Sequence, residues 1–405
     1  MSRSGEKGTT SIMFKKNRYI LIVLFLLAAW ITTGCGENCE NVPTDTDDIK
    51  RFAPAPCAED PDADINPDSD VSQVTKINTP DFGRVPDGGE FTGNPAENGE
   101  YGVYAEALLI PIAAETRRAA GHTITVEDGF LQGKAYLPQE DGNIVDGQLP
   151  LIIVLPGFSA SYIFYESYAT HFASHGFAVI GVDTRFGLME ITHDAEAVEV
   201  SQTISWADSS EDSPLKGRLD MTKIAVSGHS KGGKVAFFAA AIDNRIDIVI
   251  GWDPSNSGGP PCFIADFFDD LDCNAQPVAP NCAAGESGIE HYMNAESLVL
   301  GVPRDPFLNP DKHHNAIHFY RGAPSPTMLV HFNAGHASAL PLEIGGVTIV
   351  GHPEVIELNK AVQMSLLLTR FKGMTGNHLD EYLPDTPVGM TNLMSRGIVI
   401  RSESK

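Results

Sequence analysis

The stretch KIAVSGHSKGGKVAFFAAA, residues 223–241, decides the fold. It passes from an apolar run, KIAVSG, through Gly228-His229-Ser230-Lys231-Gly232 into an Ala/Phe-rich segment that reads as a helix. One serine between glycines at a strand-to-helix junction is the G-x-S-x-G pattern. There the turn is so tight that the flanking positions have to be glycine, and the serine is thrust above the sheet in a strained conformation. A bare G-x-S-x-G is weak evidence. The apolar strand before it and the small-residue helix after it give it weight.

The surrounding chain has the pattern such a turn needs. HTITVEDGFLQGKAYLP (122–138) alternates as early antiparallel strands do. LPLIIVLPG (149–157) is apolar throughout and suits a strand buried on both faces. YESYATHFASHG (165–176) reads as a helix. FAVIGVD (177–183), IDIVIGWD (246–253), ESLVLGV (296–302) and TMLVHF (327–332) are further strands. EVIELNKAVQMSLLLTRF (354–371) is a long amphipathic helix. Strands alternating with helices imply an α/β fold with a doubly wound, mostly parallel sheet.

A serine hydroxyl is a poor nucleophile at neutral pH. It needs a base, a third group to orient that base, and donors for the oxyanion. One donor is the N–H of the residue after the nucleophile, Lys231, at a helix N-terminus. The other comes from the loop after an earlier central strand, where VLPGFSAS offers the N–H of Phe158.

LPGFSASYIFYESYATHFASHGFAVIGVDTR, followed by LDMTKIAVSGHSKGGKVAFFAAA, resembles the α/β-hydrolase group that holds chlorophyllases, platelet-activating-factor acetylhydrolases and cutinase-like polyester hydrolases. GHSKGGK is nearest the chlorophyllase version, which has Arg where Lys231 stands. The similarity spans roughly residues 125 to 375. It implies a serine carboxylic-ester hydrolase that needs no cofactor, with a small-molecule or lipid-like ester as substrate. It also implies two places for the acid. GWDP puts Asp253 at the end of the strand after the nucleophile helix, as in chlorophyllases. Cutinase-like members place the acid one strand later, where LVLGVPRDPF offers Asp305. Asp253 is the first candidate and Asp305 its rival.

The base follows the acid in chain order in this fold. His336, in TMLVHFNAGHASAL, ends a strand inside an Ala/Gly-rich turn, and His352, in VTIVGHPEV, is the alternative. Only ten residues separate His336 from Val347, too few for a crossover helix between parallel strands. The strand before His336 is therefore the sheet strand, and His336 is the expected base. His331 alternates within that strand and reads as a sheet-face residue. His314 and His318 stand four apart, as metal ligands on a helix can. No third ligand is in register, so a solvated helix is expected and no metal. Two other classes stay open: a catalytically silent relative serving as a surface binding protein, and a peptidase or transacylase on the same elbow.

The formal charge of −25 argues against a nucleic-acid partner. The charge is uneven, since residues 1–34 hold five Lys/Arg against one Glu. Lys15, Lys16 and Arg18 precede a thirteen-residue apolar run, Tyr19 to Ile31, which is short for a membrane span and suited to a signal-peptide core. TTGC follows and resembles a bacterial lipoprotein lipobox, with Thr32 where that motif usually has Leu. Lipidation of Cys35 is expected, giving an exported cell-envelope lipoprotein (outer membrane in a diderm) anchored to the membrane through its lipid; ordinary secretion is the alternative. Export permits disulfides. Cys39 with Cys57, and two of Cys262, Cys273 and Cys282, are the expected pairs.

The expected organisation is a signal peptide over 1–34, an acidic Asp/Pro-rich tether over 35–79, a catalytic domain over 80–375 and a C-terminal extension over 376–405. The tether's spaced aspartates lack the glycine and terminal Glu of an EF-hand, so it reads as solvated chain. Residues 254–295 form an insertion between two strands, with three cysteines and Phe263, Phe267 and Phe268. It reads as a partly stapled cap over the substrate pocket. Trp252, beside Asp253, is equally a pocket residue or a packing residue.

Overall fold

The structure, a computed structural model, describes residues 88–119, 122–158, 160–184, 193–255, 293–302, 316–344 and 347–405. The expected lipidation site, the tether, residues 256–292 of the cap insertion and the disulfide candidates, with Asp305, His314 and the side chain of His318, lie outside the described residues.

The chain enters the sheet through β1 (Gly102–Ile112), a hairpin of β2 (Glu115–Ala119) and β3 (His122–Val126), and β4 (Gly129–Glu140) with the short β5 (Asn143–Ile144) beside it. There follow β6 (Leu149–Leu155), α1 (Glu166–Ser174), β7 (Ala178–Val182), α2 (His193–Ser209), β8 (Leu219–His229), α3 (Lys231–Ile242) and β9 (Ile246–Trp252). The second half holds β10 (Glu296–Gly301), α4 (Ala316–Gly322), β11 (Thr327–Phe332), the hairpin β12 (Leu342–Ile344) and β13 (Val347–Val350), and α5 (Pro353–Lys372). It closes with α6 (Asn377–Asp380), α7 (Pro387–Ser395) and β14 (Val399–Ser404).

Among the described residues one sheet runs in the order β1-β4-β7-β6-β8-β9-β10-β11-β14. Its centre, β7-β6-β8-β9-β10-β11, is parallel throughout. Both flanks are antiparallel, with β4 against β7 and β14 against β11. Strands buried on both faces explain the unbroken apolar run of β6. Leu151, Ile153 and Leu155 point into one core, and Ile152 and Val154 into the other. The first core receives Val198 and Ile204 of α2, Phe237 of α3 and Phe319 of α4. The second receives Tyr168 and Phe172 of α1 and Val362, Leu366 and Phe371 of α5. Each fully buried side chain of this kind contributes about 1.5–3 kcal/mol.

β1 and β14, both in the main sheet, were not legible as strands. β1 has a mixed apolar and polar pattern because its face is only half covered. β14, in the segment expected as an extension, reads VIRSES and pairs Leu329 with Glu403 and Val330 with Ser402. Its polar sequence suits an edge strand, where charge discourages further pairing. The run VTIV, a rival sheet strand by composition, is instead half of the separate β12–β13 hairpin. The parallel strands β6, β8, β9 and β11 end on one edge of the sheet, where catalytic and binding groups of open α/β sheets gather.

Candidate active site

Ser230 stands between β8 and α3 with φ of 55°, in the left-handed region. The flanking glycines are required by close approach. A Cβ on Gly228 would lie 2.3 Å from the Gly232 carbonyl oxygen, and one on Gly232 would lie 2.5 Å from the Pro156 carbonyl oxygen. Real Cβ contacts do not reach such distances, so no other residue fits the turn. The Ser230 N–H donates to the Trp252 carbonyl at 2.9 Å, which ties the elbow to the end of β9. Lys231 opens α3, so its N–H has no acceptor within the helix.

The structure brings together Ser230, His336 and Asp253. His336 Nε2 lies 2.8 Å from Ser230 Oγ. Its Nδ1 is hydrogen-bonded to Asp253 Oδ2. All three are nearly enclosed, with exposures of 8%, 6% and 3% for Ser230, His336 and Asp253. Asp253 also has positive φ, 42°, which an Asp tolerates better than most residues. Its N–H donates to the Leu300 carbonyl at 2.6 Å, and its Oδ1 accepts the Val302 N–H at 3.2 Å. Both contacts come from the end of β10. The carboxylate is thereby fixed before His336 reaches it.

His336 sits in the turn after β11. The Tyr168 hydroxyl donates to the Ala339 carbonyl at 3.0 Å, and the His352 N–H donates to the Ser338 carbonyl at 2.8 Å. His352 itself is exposed and caps α5, while His331 lies within β11 opposite Arg401. Neither ring is drawn to Ser230. Phe158 follows Gly157 at the end of β6 and is half-buried.

Three neighbours of the site take roles that the sequence does not settle. The Lys231 side chain is buried, and its Nζ donates to both Glu196 oxygens at 2.7 and 2.9 Å and to Thr184 Oγ1 at 2.8 Å. An ammonium next to the nucleophile can be enclosed only with such a partner. Glu196, on a helix too acidic to read as buried, was not foreseeable. His229 is buried. Burial and the neighbouring His336 push its pKa down to about 3. Trp252 is fully buried rather than pocket-lining. Its ring packs 4.2 Å from Tyr168, and its Nε1–H donates to Ser227 Oγ at 2.7 Å. Among the described residues no cluster of His, Cys, Asp or Glu is arranged to hold a metal.

A nucleophile, a base and an orienting carboxylate in series can take a proton from a hydroxyl as it attacks. A family model described as PET hydrolase-like matches residues 105–260. Chlorophyllase-2 of Arabidopsis thaliana is 27% identical over 148 residues, covering 33% of this chain and 46% of that protein. Cutinase 2 of Thermobifida cellulosilytica is 29% identical over 142 residues, covering 35% of this chain and 50% of its own. The chloroplastic Chlorophyllase-1 of Citrus unshiu is 27% identical over 180 residues, covering 43% and 53%. The chain thus spans about half the length of these relatives.

Proposed function

We propose that this chain, an α/β hydrolase of the chlorophyllase and cutinase-like group, is a serine hydrolase that cleaves carboxylic esters through an acyl-enzyme. The observation that carries the reading is the 2.8 Å approach of His336 Nε2 to Ser230 Oγ, with Nδ1 bonded to the Asp253 carboxylate. The Nδ1–H donates to the carboxylate, so Nε2 carries the lone pair and can accept the serine proton. As Oγ attacks the ester carbonyl, the proton passes to Nε2, and Asp253 stabilises the imidazolium. The N–H groups of Lys231 and Phe158 take the oxyanion, each contributing on the order of 3 kcal/mol. Collapse expels the alcohol, which takes the proton back from Nε2. Water, activated by the same nitrogen, then releases the acid and restores the serine.

Relatives named chlorophyllase and cutinase support an ester with a bulky or lipid-like component over a peptide. The test is a panel of p-nitrophenyl esters against peptide anilides, run with wild type and Ser230→Ala, plus a fluorophosphonate probe. Ester hydrolysis and labelling that both vanish in Ser230→Ala are expected. A variant keeping a tenth of wild-type kcat refutes the nucleophile, since a true one is worth several orders of magnitude. Failure of the wild type to be labelled points instead to a silent binding protein. Cleavage of anilides in preference to esters would move the reading to a peptidase.

The basic segment, apolar run and Gly34-Cys35 order support export with Cys35 as the lipidated first residue of the mature chain. Intact mass of membrane-extracted protein from a bacterial host tests this. A soluble mature chain with no acyl increment would sink it.

A further inference from the structure

The residue between Gly228 and Ser230 is the start of a buried hydrogen-bond chain. His229 Nε2 lies 3.0 Å from the carbonyl oxygen of His336. His229 Nδ1 lies 3.0 Å from the Tyr165 hydroxyl. That hydroxyl lies 3.1 Å from the Gly157 N–H. The proton positions follow from one fact: a carbonyl can only accept. His229 Nε2 must therefore carry the hydrogen, which leaves Nδ1 with a lone pair. Tyr165 donates to that lone pair, and its oxygen accepts from Gly157. Three bonds run in one direction, Gly157 to Tyr165 to His229 to His336.

The two ends of the chain are the parts a serine hydrolase has to hold still. Gly157 precedes Phe158, an oxyanion donor of the proposed mechanism. The His336 carbonyl belongs to the base itself. The middle of the chain, His229, is covalently next to the nucleophile. Packing supports the same assignment. A Cβ on Gly157 would lie 3.0 Å from His229 Nδ1 and 3.3 Å from the Ser230 Cβ, so the loop is pressed against this ring. The His229 and His336 rings stand 4.8 Å apart, and Tyr165 packs 5.7 Å from Trp252. The Tyr168 bond to Ala339 fixes the far side of the base loop, three residues beyond His336. The His229 bond holds the backbone of His336 itself.

We propose that His229 and Tyr165 are positioning residues, which lock the oxyanion loop and the base loop to the nucleophile elbow so that Ser230, His336 and Phe158 stay in register. The proposal rests on the reading of Ser230 as nucleophile, and that reading is tested apart from it by Ser230→Ala.

The experiment compares His229→Phe, His229→Gln, Tyr165→Phe and the double variant His229→Phe/Tyr165→Phe on p-nitrophenyl butyrate, with fluorophosphonate labelling rates and thermal midpoints. A misplacement near 1 Å can cost about 100-fold, so His229→Phe should lower kcat by about 10–100-fold while KM moves less than about twofold. Labelling should slow in proportion. His229→Gln, whose amide N–H can reach the His336 carbonyl, should recover about tenfold of that loss despite the smaller side chain. Because the bonds act as one unit, the double variant should lose little more than His229→Phe alone. A kcat within about threefold of wild type for His229→Phe overturns the proposal. So does equal impairment of the Phe and Gln variants, which would indicate packing alone. Should His229→Phe fail to fold, His229→Gln and Tyr165→Phe decide. A loss of about 3–10-fold in kcat for Tyr165→Phe at unchanged KM supports the chain, and an unchanged kcat overturns it. If wild type itself neither hydrolyses esters nor takes the label, it is the nucleophile reading that has failed.

Discussion

Replacing Asp253 by Asn separates orientation from shape. Asn tolerates the positive φ of 42° at this position, so the backbone has no reason to move. The amide then has to choose between two orientations. Oδ1 of Asp253 accepts the Val302 N–H at 3.2 Å. If the amide oxygen stays there, its NH2 faces His336 Nδ1. Nδ1 must then become the acceptor, and Nε2 carries the proton. That tautomer cannot accept the proton of Ser230. In the other orientation the tautomer is right, but the NH2 opposes the Val302 N–H. Two donors facing each other in a buried site cost about 1–3 kcal/mol. The neutral amide also stabilises the imidazolium less than a carboxylate does, by about 1.5–3 kcal/mol for the lost charge-assisted bond. The sum, about 2.5–6 kcal/mol, corresponds to a loss of about 10²–10⁴ in kcat. Steady-state kinetics on a p-nitrophenyl ester, with circular dichroism to confirm folding, measures it. A loss below tenfold in a folded variant would refute the assignment. A larger loss for Asp305→Asn would move the acid one strand later, to the position cutinase-like members use.

Gly157→Ala should lower kcat by about tenfold or more at a nearly unchanged thermal midpoint, because its new methyl group would press on His229 Nδ1 at 3.0 Å and on the Ser230 Cβ at 3.3 Å; unchanged kinetics would show that the loop can yield. Glu196→Ala strands the Lys231 ammonium, whose bonds to Glu196 are 2.7 and 2.9 Å, and should cost about 3–5 kcal/mol in urea unfolding; a cost below 1 kcal/mol would mean that water reaches the lysine. Burial lowers the pKa of His171 to about 2, that of His229 to about 3 and that of His193 well below the ordinary value, so each is neutral in the folded chain at pH values where the unfolded chain, near 6.5, takes up protons. Stability contributed by these depressed groups is complete above pH 6.5 and is lost as pH falls. Asp247, raised to about 6 by burial, works in the opposite sense, as do Asp183 and Glu296, whose carboxyls burial also raises, while His175, lowered by burial, adds to the histidine side. The unfolding free energy from urea titrations should therefore drop between pH 7 and 5.5, by about 1.4 kcal/mol per pH unit or more, and a flat or rising value would count against the neutral histidines.

The parts of the fold that were readable from sequence are those where burial is total. β6, β7, β9, β10 and β11 lie with both faces largely covered, so their apolar runs were continuous and their bounds nearly right, whereas β8 begins four residues before its apolar run, at Leu219, through the partly exposed Asp220, Met221 and Thr222. Elements with one wet face or a charged lining were not. β1 alternates irregularly, β14 is a polar edge strand, and α2 encloses acidic residues such as Glu196 that composition assigns to a solvated surface. Hydrophobic periodicity reports what an element is packed against only when the packing is apolar. An ion pair such as Lys231 with Glu196, formed between segments 35 residues apart, leaves no periodic trace.

The same distinction divides the site. Ser230 was legible because backbone geometry dictates its neighbours: the glycines at 228 and 232 stand where any Cβ would collide with a carbonyl. The choice between Asp253 and Asp305, or between His336 and His352, carries no such local constraint, since every one of them follows an apolar run. What distinguishes them is set by atoms remote in sequence. Leu300 and Val302, from the next strand, hold Asp253 through its N–H and its Oδ1, and Tyr168 holds the loop that carries His336. His229 was equally hidden. In the pattern it occupies a variable position, and its identity shows only once the fold brings the His336 carbonyl and the Tyr165 hydroxyl to its two nitrogens. A histidine satisfies both partners at once because its neutral ring is a donor at one nitrogen and an acceptor at the other. Phenylalanine would fill the space and satisfy neither. The residue inside the motif that looks most replaceable is thus the one whose chemistry depends most on the rest of the chain.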